Sequence, residues 1–323
     1  MNDLSIVVVS YNTRDLLLQC LESVLESLEL AQAGGRLSMD ARAISRGYEV
    51  IVVDNASTDG SAQAVRRFFP EVRLVENEFN RGFGSANNQA IAISQGRRLL
   101  FLNPDVQVQG NAITEMLRFL DRYPRTGMVT CRLKYPDGSF QDSAFRFPTL
   151  WMVLLDLFPL HPRLVRSGLN GRYPLNAYRR PFEIDHPLGA CMLVRREMID
   201  RVGAFDEAYF MYCEELDWCM RARRDRWRVF CVPQAEMVHH GGSSTAQLPD
   251  QMFVELFRSR LRFFSRYYNP FFKVAAKAIM AAGLWWEHSR WLQQYLRNEI
   301  TEERFQERRS ALGMVLTLLA TGP

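Results

Sequence analysis

The strongest constraint on the fold is the alternation of short apolar runs with helical segments over the first 123 residues. Continuous β-branched runs such as SIVVVS are typical of strands that are buried on both faces of a sheet. We predict strands at residues 4–10, 48–53, 72–76 and 98–102, and helices at residues 14–30, 61–69, 85–95 and 111–123. This order predicts an α/β fold with a doubly wound, mostly parallel sheet. A ligand is then expected at the carboxyl ends of the strands.

The pattern is mixed beyond residue 128. We predict further strands at residues 128–134, 189–195 and 228–232, a helix at residues 214–226, and a loop with short helices at residues 151–185. The simplest division is an α/β domain over residues 1–250 followed by a helical appendage over residues 251–323.

Targeting signals and cysteines indicate the compartment. No signal peptide is predicted, because Asp3 precedes the short apolar run where a basic flank would be needed. No run of 18 or more apolar residues predicts a membrane-spanning helix. The six cysteines lack CxxC spacing, so we expect buried, reduced thiols in a cytoplasmic protein and no zinc site.

Polar clusters follow three of the predicted strands. Asp54 and Asn55 follow the second strand, where a carboxylate can accept hydrogen bonds from a ribose hydroxyl or a base N–H. Residues 80–88 follow the third strand and combine an arginine with glycines at a helix start, which suits a phosphate. Asp105 follows the fourth, and a carboxylate there suits Mg²⁺ or Mn²⁺ when phosphates supply the remaining ligands. Each cluster alone also fits a turn or a helix cap, but three on consecutive strands favour a ligand site.

Two later groups can carry chemistry. Glu214, Glu215 and Asp217 are acids in the first turn of a predicted helix, where they also complement the helix dipole. Repulsion among three carboxylates raises at least one pKa, as a general base requires. His239 and His240 lie beside a glycine turn. Adjacent side chains usually point apart, so we expect at most one imidazole to reach a metal or a diphosphate.

Together these segments resemble the inverting glycosyltransferases of family 2, which have the GT-A fold, and within that family the bacterial rhamnosyltransferase-like enzymes. The resemblance covers about residues 4–245. It rests on seven strings in the family's order, SIVVVSYN, VIVVDNASTDGS, NRGFGSANNQA, LLFLNPD, GACMLVRR, FDEAYFMYCEELDWCMR and HHGGSS. Residues 31–47 look like an insertion relative to the family's shorter loop.

The resemblance implies roles for individual residues. Asp54 matches the nucleoside-binding aspartate of a dTDP- or UDP-sugar site. Asp105 matches the metal-binding carboxylate of the DxD motif, which would hold Mg²⁺ or Mn²⁺, and His239 falls on a late histidine similar to a metal or diphosphate contact. Glu215 matches the second acid of the ED motif, the expected base, with Glu214 as the other candidate. The matched strings also include donor-binding positions, namely Ser10, Tyr11, Asn12, Asn55, Asn80, Arg81, Gly82, Asn87 and Asn103.

The implied reaction is the transfer of a sugar, with L-rhamnose as the subgroup's expectation, to a hydroxyl of a glycan or lipid-linked acceptor in cell-surface polysaccharide assembly. Two alternatives stay open. A sugar-nucleotide nucleotidyltransferase would need a Gly-rich basic loop after the first strand, where this chain has SYNTRD. A non-catalytic membrane-associated scaffold draws on Asn103 in place of the first DxD aspartate, whereas the joint presence of Asp54, Asp105 and Glu215 disfavours it.

The positive charge is concentrated in one aromatic-rich segment. The chain has 40 basic and 36 acidic residues, a net charge of +4 that is too small to indicate a nucleic-acid partner. Residues 252–290 alone hold seven basic and two acidic residues, together with ten of the 38 aromatic residues. The rest of the chain is therefore nearly neutral.

The same segment predicts an amphipathic helix. Phe257, Leu261 and Phe264 fall on one face, with arginines opposite and Arg260 inside the apolar face. Such a helix either packs on the domain or docks on the anionic inner face of the cell membrane. In the second case the aromatic pairs at residues 271–272 and 285–286 suit the headgroup depth, and Arg260 would meet an acceptor or donor phosphate.

Overall fold

The computed structural model describes residues 3–34, 47–242 and 245–323. Most of the expected insertion at residues 31–47, and the two serines of the HHGGSS string, lie outside these described residues. The chain forms two compact units. The first comprises Met1–Arg146, Tyr173–Ala208 and Glu214–Ser244, and the second comprises Phe147–Arg172, Tyr209–Cys213 and Thr245–Pro323.

The strands are β1 (Leu4–Ser10), β2 (Tyr48–Asp54), β3 (Arg73–Glu76), β4 (Arg98–Leu102), β5 (Val106–Val108), β6 (Thr126–Lys134), β7 (Phe140–Gln141), β8 (Ala144–Phe145), β9 (Phe182–Glu183), β10 (His186–Pro187), β11 (Cys191–Arg195) and β12 (Arg228–His239). The helices are α1 (Arg14–Gly34), α2 (Ser61–Phe68), α3 (Phe83–Ile93), α4 (Ala112–Arg122), α5 (Leu150–Leu157), α6 (Pro162–Val165), α7 (Arg196–Val202), α8 (Glu214–Arg224), α9 (Pro249–Tyr267), α10 (Pro270–Leu296) and α11 (Glu302–Thr321).

The first unit is built on one large sheet with the strand order β3-β2-β1-β4-β11-β6-β12-β5. Strands β1 to β4 are mutually parallel where they pair, β11 is antiparallel to β4 and β6, and β6 is parallel to β12. The predicted α/β class with a mostly parallel sheet is therefore confirmed. The carboxyl ends of β1, β2, β4 and β12 lie at the same edge.

Apolar side chains on the sheet and on α1 form the core of this unit. Ile6 and Val8 on β1 are fully buried, as the β-branched run predicts. On α1, Leu17, Leu21 and Val24 recur at helical intervals and are also buried against the same cluster. This burial of apolar surface fixes the sheet and so positions the loops at its carboxyl edge.

Strands β5 and β12 differ from the sequence prediction. The three-residue β5 was not predicted, and β12 continues to His239 instead of ending at residue 232. Pairing of β12 with β6 is interrupted between Val232 and Glu236, where Pro233 falls, and then resumes. The resumed part of β12 pairs antiparallel with β5 and places His239 opposite Val106.

The second unit is helical and contains α5, α6, α9, α10 and α11. It includes residues 147–172 and 209–213, which the sequence division had placed in the α/β domain. Phe257, Leu261 and Phe264 are buried, so the apolar face of α9 packs within this unit. No helix in the described part of the chain is long and apolar enough to span a bilayer.

Arg260, the expected phosphate contact of a membrane-docked helix, forms an ion pair in this unit. Its Nη2 lies 2.6 Å from Asp156 Oδ2 on α5. Because Arg260 bridges α9 and α5, it stabilises the packing of these two helices.

Candidate active site

Asp54 is the last residue of β2, and only one of its two carboxylate oxygens accepts a hydrogen bond from a described residue. The side chain is buried, and Oδ2 accepts a hydrogen bond from the Ser57 backbone N at 2.9 Å. Oδ1 is buried and has no hydrogen-bond partner among the described residues. Leaving a buried acceptor unpaired destabilises a fold by about 1–3 kcal/mol. The position therefore suits a ligand that donates a hydrogen bond.

The loop after β1 is tied to the loop after β2. Asn12 has a left-handed backbone, with φ at 50°. Its backbone N donates to Ser57 Oγ at 2.9 Å, and its Oδ1 accepts from the Thr58 backbone N at 2.7 Å. Ser10 Oγ shares a hydrogen bond of 3.0 Å with Thr13 Oγ1. Ser10 and Asn12 thus fix the course of this loop, with Tyr11 half-buried between them.

Side-chain amides fix the turn before α3. Asn55 Nδ2 donates to Asn80 Oδ1 at 2.8 Å, and Asn55 Oδ1 accepts from the Arg81 backbone N at 3.0 Å. Asn80 Oδ1 also accepts from the Gly82 backbone N at 2.9 Å. Gly82 has a φ of 81°, a conformation that favours glycine. Asn55 therefore holds this turn against the end of β2.

Arg81 and Asn87 have different surroundings. The Arg81 side chain is exposed and lies over the Phe79 ring, 4.8 Å from its centroid. It is a cation that can meet a phosphate. Asn87 is buried in α3 and donates from Nδ2 to the Phe83 carbonyl at 2.9 Å. That bond stabilises the first turns of the helix.

Asp105 and His239 are brought together by the pairing of β5 with β12. Both side chains are buried, and Asp105 Oδ1 lies 3.3 Å from His239 Nε2. On the other side of the ring, His239 Nδ1 lies 3.1 Å from Gln141 Oε1. The His240 backbone N donates to the Asp105 carbonyl at 3.1 Å, so His239 rather than His240 is the imidazole that faces this carboxylate.

The donor set at Asp105 fits a divalent cation bound together with phosphates. Within residues 3–34, 47–242 and 245–323, no group of three or more His, Cys, Asp or Glu side chains could hold a metal ion by itself. Nε2 of His239 is buried and makes no hydrogen bond to any residue that the structure describes, although a carboxylate oxygen is 3.3 Å away. Two ligands of this kind suit Mg²⁺ or Mn²⁺, which take few protein ligands when phosphates complete the shell.

Glu214 and Glu215 begin α8, and burial changes their acidity. The chain enters this helix through Tyr212 and Cys213, whose φ values of 69° and 65° are left-handed. Burial raises the pKa of Glu215 to about 7. Burial, reinforced by the charge of Glu215, raises the pKa of Glu214 well above its ordinary value, and Glu214 Oε2 is buried without a partner in the described structure.

Asp217 does not contribute to this effect as the sequence predicted. Its carboxylate is fully buried and forms an ion pair with Arg221, with 2.7 Å between Oδ2 and Nε. Arg221 in turn donates from Nη2 to the Ala204 carbonyl at 2.8 Å. Asp217 is therefore a structural acid, and burial rather than repulsion among three acids is the main cause of the raised pKa values.

Backbone contacts place Glu215 at the ligand edge of the sheet. The Asn103 backbone N donates to the Ala190 carbonyl at 2.9 Å, which joins the end of β4 to the start of β11. A Cβ added to the preceding residue, Gly189, would lie 3.9 Å from Glu215 Cδ. The base candidate thus lies beside the strand end that carries Asn103, whose side chain is half-buried.

Sequence reasoning missed two residues at this edge. Gln141, the buried partner of His239, lies on a strand of only two residues, which is too short for a periodic pattern to predict it. Gly189 appeared only in a matching string and in a predicted strand, although it lies next to Glu215. A polar residue shortly after a predicted turn is too common a signal to have identified Gln141.

The sheet order, with Asp54 and Asp105 near its carboxyl edge, agrees with the GT-A fold that the sequence resemblance implied. Residues 5–203 match the glycosyl transferase family 2. The chain therefore belongs to glycosyltransferase family 2.

Relatives in the family are named for sugar transfer. The chain is 35% identical over 221 residues to the N-acetylglucosaminyl-diphospho-decaprenol L-rhamnosyltransferase of Mycobacterium tuberculosis. The matched region covers 64% of this chain and 71% of that protein. It is 26% identical over 194 residues to the rhamnosyltransferase WbbL of Escherichia coli, with coverage of 57% and 70%.

A solved structure shows the same fold at low identity. The mannosyltransferase PcManGT from Pyrobaculum calidifontis, in complex with GDP-Man and Mn²⁺, superposes with a TM-score of 0.56 at 16% identity. The superposition covers 99% of this chain and 89% of the mannosyltransferase.

Proposed function

We propose that the protein is an inverting glycosyltransferase of cell-surface polysaccharide assembly. It moves a sugar from a dTDP- or UDP-sugar to a hydroxyl of a glycan or lipid-linked acceptor. The sugar that we propose is L-rhamnose. The observation that carries the proposal is Glu215, a carboxyl with a pKa of about 7 beside the carboxyl ends of parallel strands. The two relatives named for rhamnosyl transfer support the sugar, and the decaprenol-linked substrate in one name supports a lipid-linked acceptor.

Glu215 acts as the general base in this reaction. Its carboxylate takes the proton from the acceptor hydroxyl while that oxygen bonds to the anomeric carbon. The bond from that carbon to the diphosphate breaks on the opposite face, so one displacement inverts the configuration. A base titrating near pH 7 combines adequate basicity with a substantial ionised fraction at neutral pH. No covalent intermediate is needed.

The donor is held by groups at neighbouring strand ends. Asp54 Oδ1 accepts a hydrogen bond from the nucleoside, and Arg81 approaches a phosphate from the turn before α3. Asp105 and His239 would hold Mg²⁺ or Mn²⁺, which when bound neutralises charge on the leaving nucleoside diphosphate. The Mn²⁺ in the complex of the related fold supports a divalent ion.

The test is a screen of nucleotide-sugars for release of nucleoside diphosphate in the presence of candidate acceptors, with the anomeric configuration of the product read by NMR. Glu215→Gln should lower turnover by about 10²–10⁴-fold, the usual contribution of a general base, with donor affinity unchanged. Glu214→Gln is the matched variant. A Glu215→Gln protein with near-normal turnover would remove Glu215 from this role. A wild-type protein that neither binds nor turns over any donor would favour the scaffold alternative.

We also propose that the enzyme works at the inner face of the cell membrane, bound peripherally to anionic lipid. The supporting feature is the outer face of α10, which we define as Phe271, Val274, Ala278, Ala281, Trp285, Leu292 and Leu296. Phe271, Val274, Trp285 and Leu296 are 76%, 70%, 71% and 69% exposed. Lys273 and Arg290 belong to the same helix, and aromatic side chains beside basic ones suit the headgroup region.

A further inference from the structure

Gln141 lies directly behind His239 in the first unit. It is buried on β7, which pairs with β6 so that Gln141 lies opposite Leu133. Its Oε1 is 3.1 Å from His239 Nδ1, while Asp105 Oδ1 is 3.3 Å from Nε2 on the other side of the ring. The three side chains therefore form a buried line from Gln141 through the imidazole to Asp105.

The chemistry of the amide decides where the imidazole proton lies. An amide oxygen only accepts hydrogen bonds, so the placement of Gln141 Oε1 beside the ring calls for a proton on Nδ1 of His239. In a neutral imidazole Nε2 then presents its lone pair. That atom makes no hydrogen bond to Asp105 or to any other described group. In that neutral form the lone pair and the carboxylate oxygen would face each other as two acceptors, an arrangement that a cation stabilises.

We propose that Gln141 is a positioning residue for the divalent metal, fixing the tautomer and ring orientation with which His239 presents Nε2. The proposal rests on the metal role proposed above for Asp105 and His239. Partners that hold the outer nitrogen of a ligating histidine commonly change metal affinity 10–100-fold when they are removed.

The test measures Mn²⁺ binding to the full chain in the presence of UDP and, separately, dTDP, by the loss of the free-ion signal in electron paramagnetic resonance. Samples of Mn²⁺ and nucleotide without protein supply the blank. Gln141→Leu should raise the Kd about 10–100-fold, whereas Gln141→Glu, which keeps an acceptor, should stay within about threefold of the wild type or bind more tightly. The matched control is Gln107→Leu. Gln107 lies on the neighbouring strand β5, and its Nε2 bonds Gln19 Oε1 at 2.7 Å rather than the imidazole.

The possible outcomes distinguish the metal role of Asp105 and His239 from the positioning role of Gln141. If the wild type binds no Mn²⁺ saturably, the metal role of Asp105 and His239 fails, and the role of Gln141 fails with it. If the wild type binds Mn²⁺ and Gln141→Leu binds equally well, only the positioning role is overturned.

A second measurement uses the metal-free wild-type protein, so it does not depend on whether the Gln141→Leu variant folds. Two-bond ¹H–¹⁵N NMR of the metal-free wild type at alkaline pH should show the His239 ring with its proton on Nδ1. A ring protonated on Nε2 would mean that Gln141 donates instead of accepting, and that result would overturn the proposal.

Discussion

At the scale of single residues, the acidity of Glu215 links its proposed role as general base to the stability of the fold. Its pKa is about 7 in the folded chain against an ordinary value of 4.5. The unfolded chain therefore loses this proton first as the pH rises, so the free energy of unfolding falls between pH 4.5 and about 7 and stays lower above it. The sign is opposite to that of an acid stabilised by a salt bridge.

We therefore expect Glu215→Gln to be more stable than the wild type at alkaline pH. A glutamine cannot ionise, so the variant escapes the unfavourable burial of the charge, by an amount on the order of 1–3 kcal/mol. Thermal denaturation at about pH 4 and about pH 8 measures the difference, which should be present only at the higher pH. Glu197→Gln, on the exposed side of α7, is the control. An equal effect at both pH values would contradict the assignment of the pKa.

The site could be predicted at the level of residue type and strand end, but not of pairing. Asp54 and Asp105 follow apolar runs, and their position together with the cluster at residues 80–88 predicts a ligand at this edge of the sheet. Which of the two adjacent histidines faces Asp105 depends on the register of β5 with β12, which the sequence does not display. The pairing of Asp217 with Arg221 is different, because the two residues are four apart on α8 and the sequence does display that spacing. The expected repulsion among three acids was wrong in its cause because this pairing was not weighed.

At the scale of elements, the βα alternation was predictable because burial on both faces of a parallel sheet selects continuous β-branched runs. The observed ends of the helices differ from the predicted ends where the geometry of a turn sets them. The helix predicted at residues 85–95 spans Phe83–Ile93, because Gly82 with its left-handed φ begins it. The short strand β5 has too few residues for a periodic signal, and the interruption around Pro233 hid the second half of β12.

Two glycines in the helical unit predict opposite effects of the same substitution. A Cβ on Gly283 of α10 would lie 2.8 Å from Leu157 Cβ on α5, whereas a Cβ on Gly313 of α11 meets nothing within 4 Å. Gly283→Ala should destabilise the chain by about 1–3 kcal/mol through overpacking. Gly313→Ala should stabilise it by about 0.5–1 kcal/mol through helix propensity. Urea denaturation of the two variants measures both. Equal effects would mean that α5 and α10 do not pack this closely.

At the scale of the whole molecule, charge and exposed aromatic surface coincide. Residues 252–290 carry seven basic and two acidic residues, and the rest of the chain is nearly neutral. The apolar face of α9, which the sequence predicted as a possible membrane surface, is buried. Exposed apolar residues lie on α10. The sequence could not separate these helices, because both are rich in aromatic and basic residues. Only packing decides which face stays exposed.

The exposed face predicts membrane binding in which charge and aromatic burial make separate contributions. The protein should co-sediment with vesicles containing phosphatidylglycerol, and more weakly at high salt, because screening reduces the attraction of lysines and arginines to the surface. Replacing Phe271 and Trp285 together by serine should weaken binding at least about tenfold, because burying one such side chain contributes about 1.5–3 kcal/mol. Phe68→Ser, at a phenylalanine 58% exposed in the first unit, should leave binding unchanged. Absence of co-sedimentation at both salt concentrations would contradict the membrane proposal while leaving the transferase activity to be judged by its own assay.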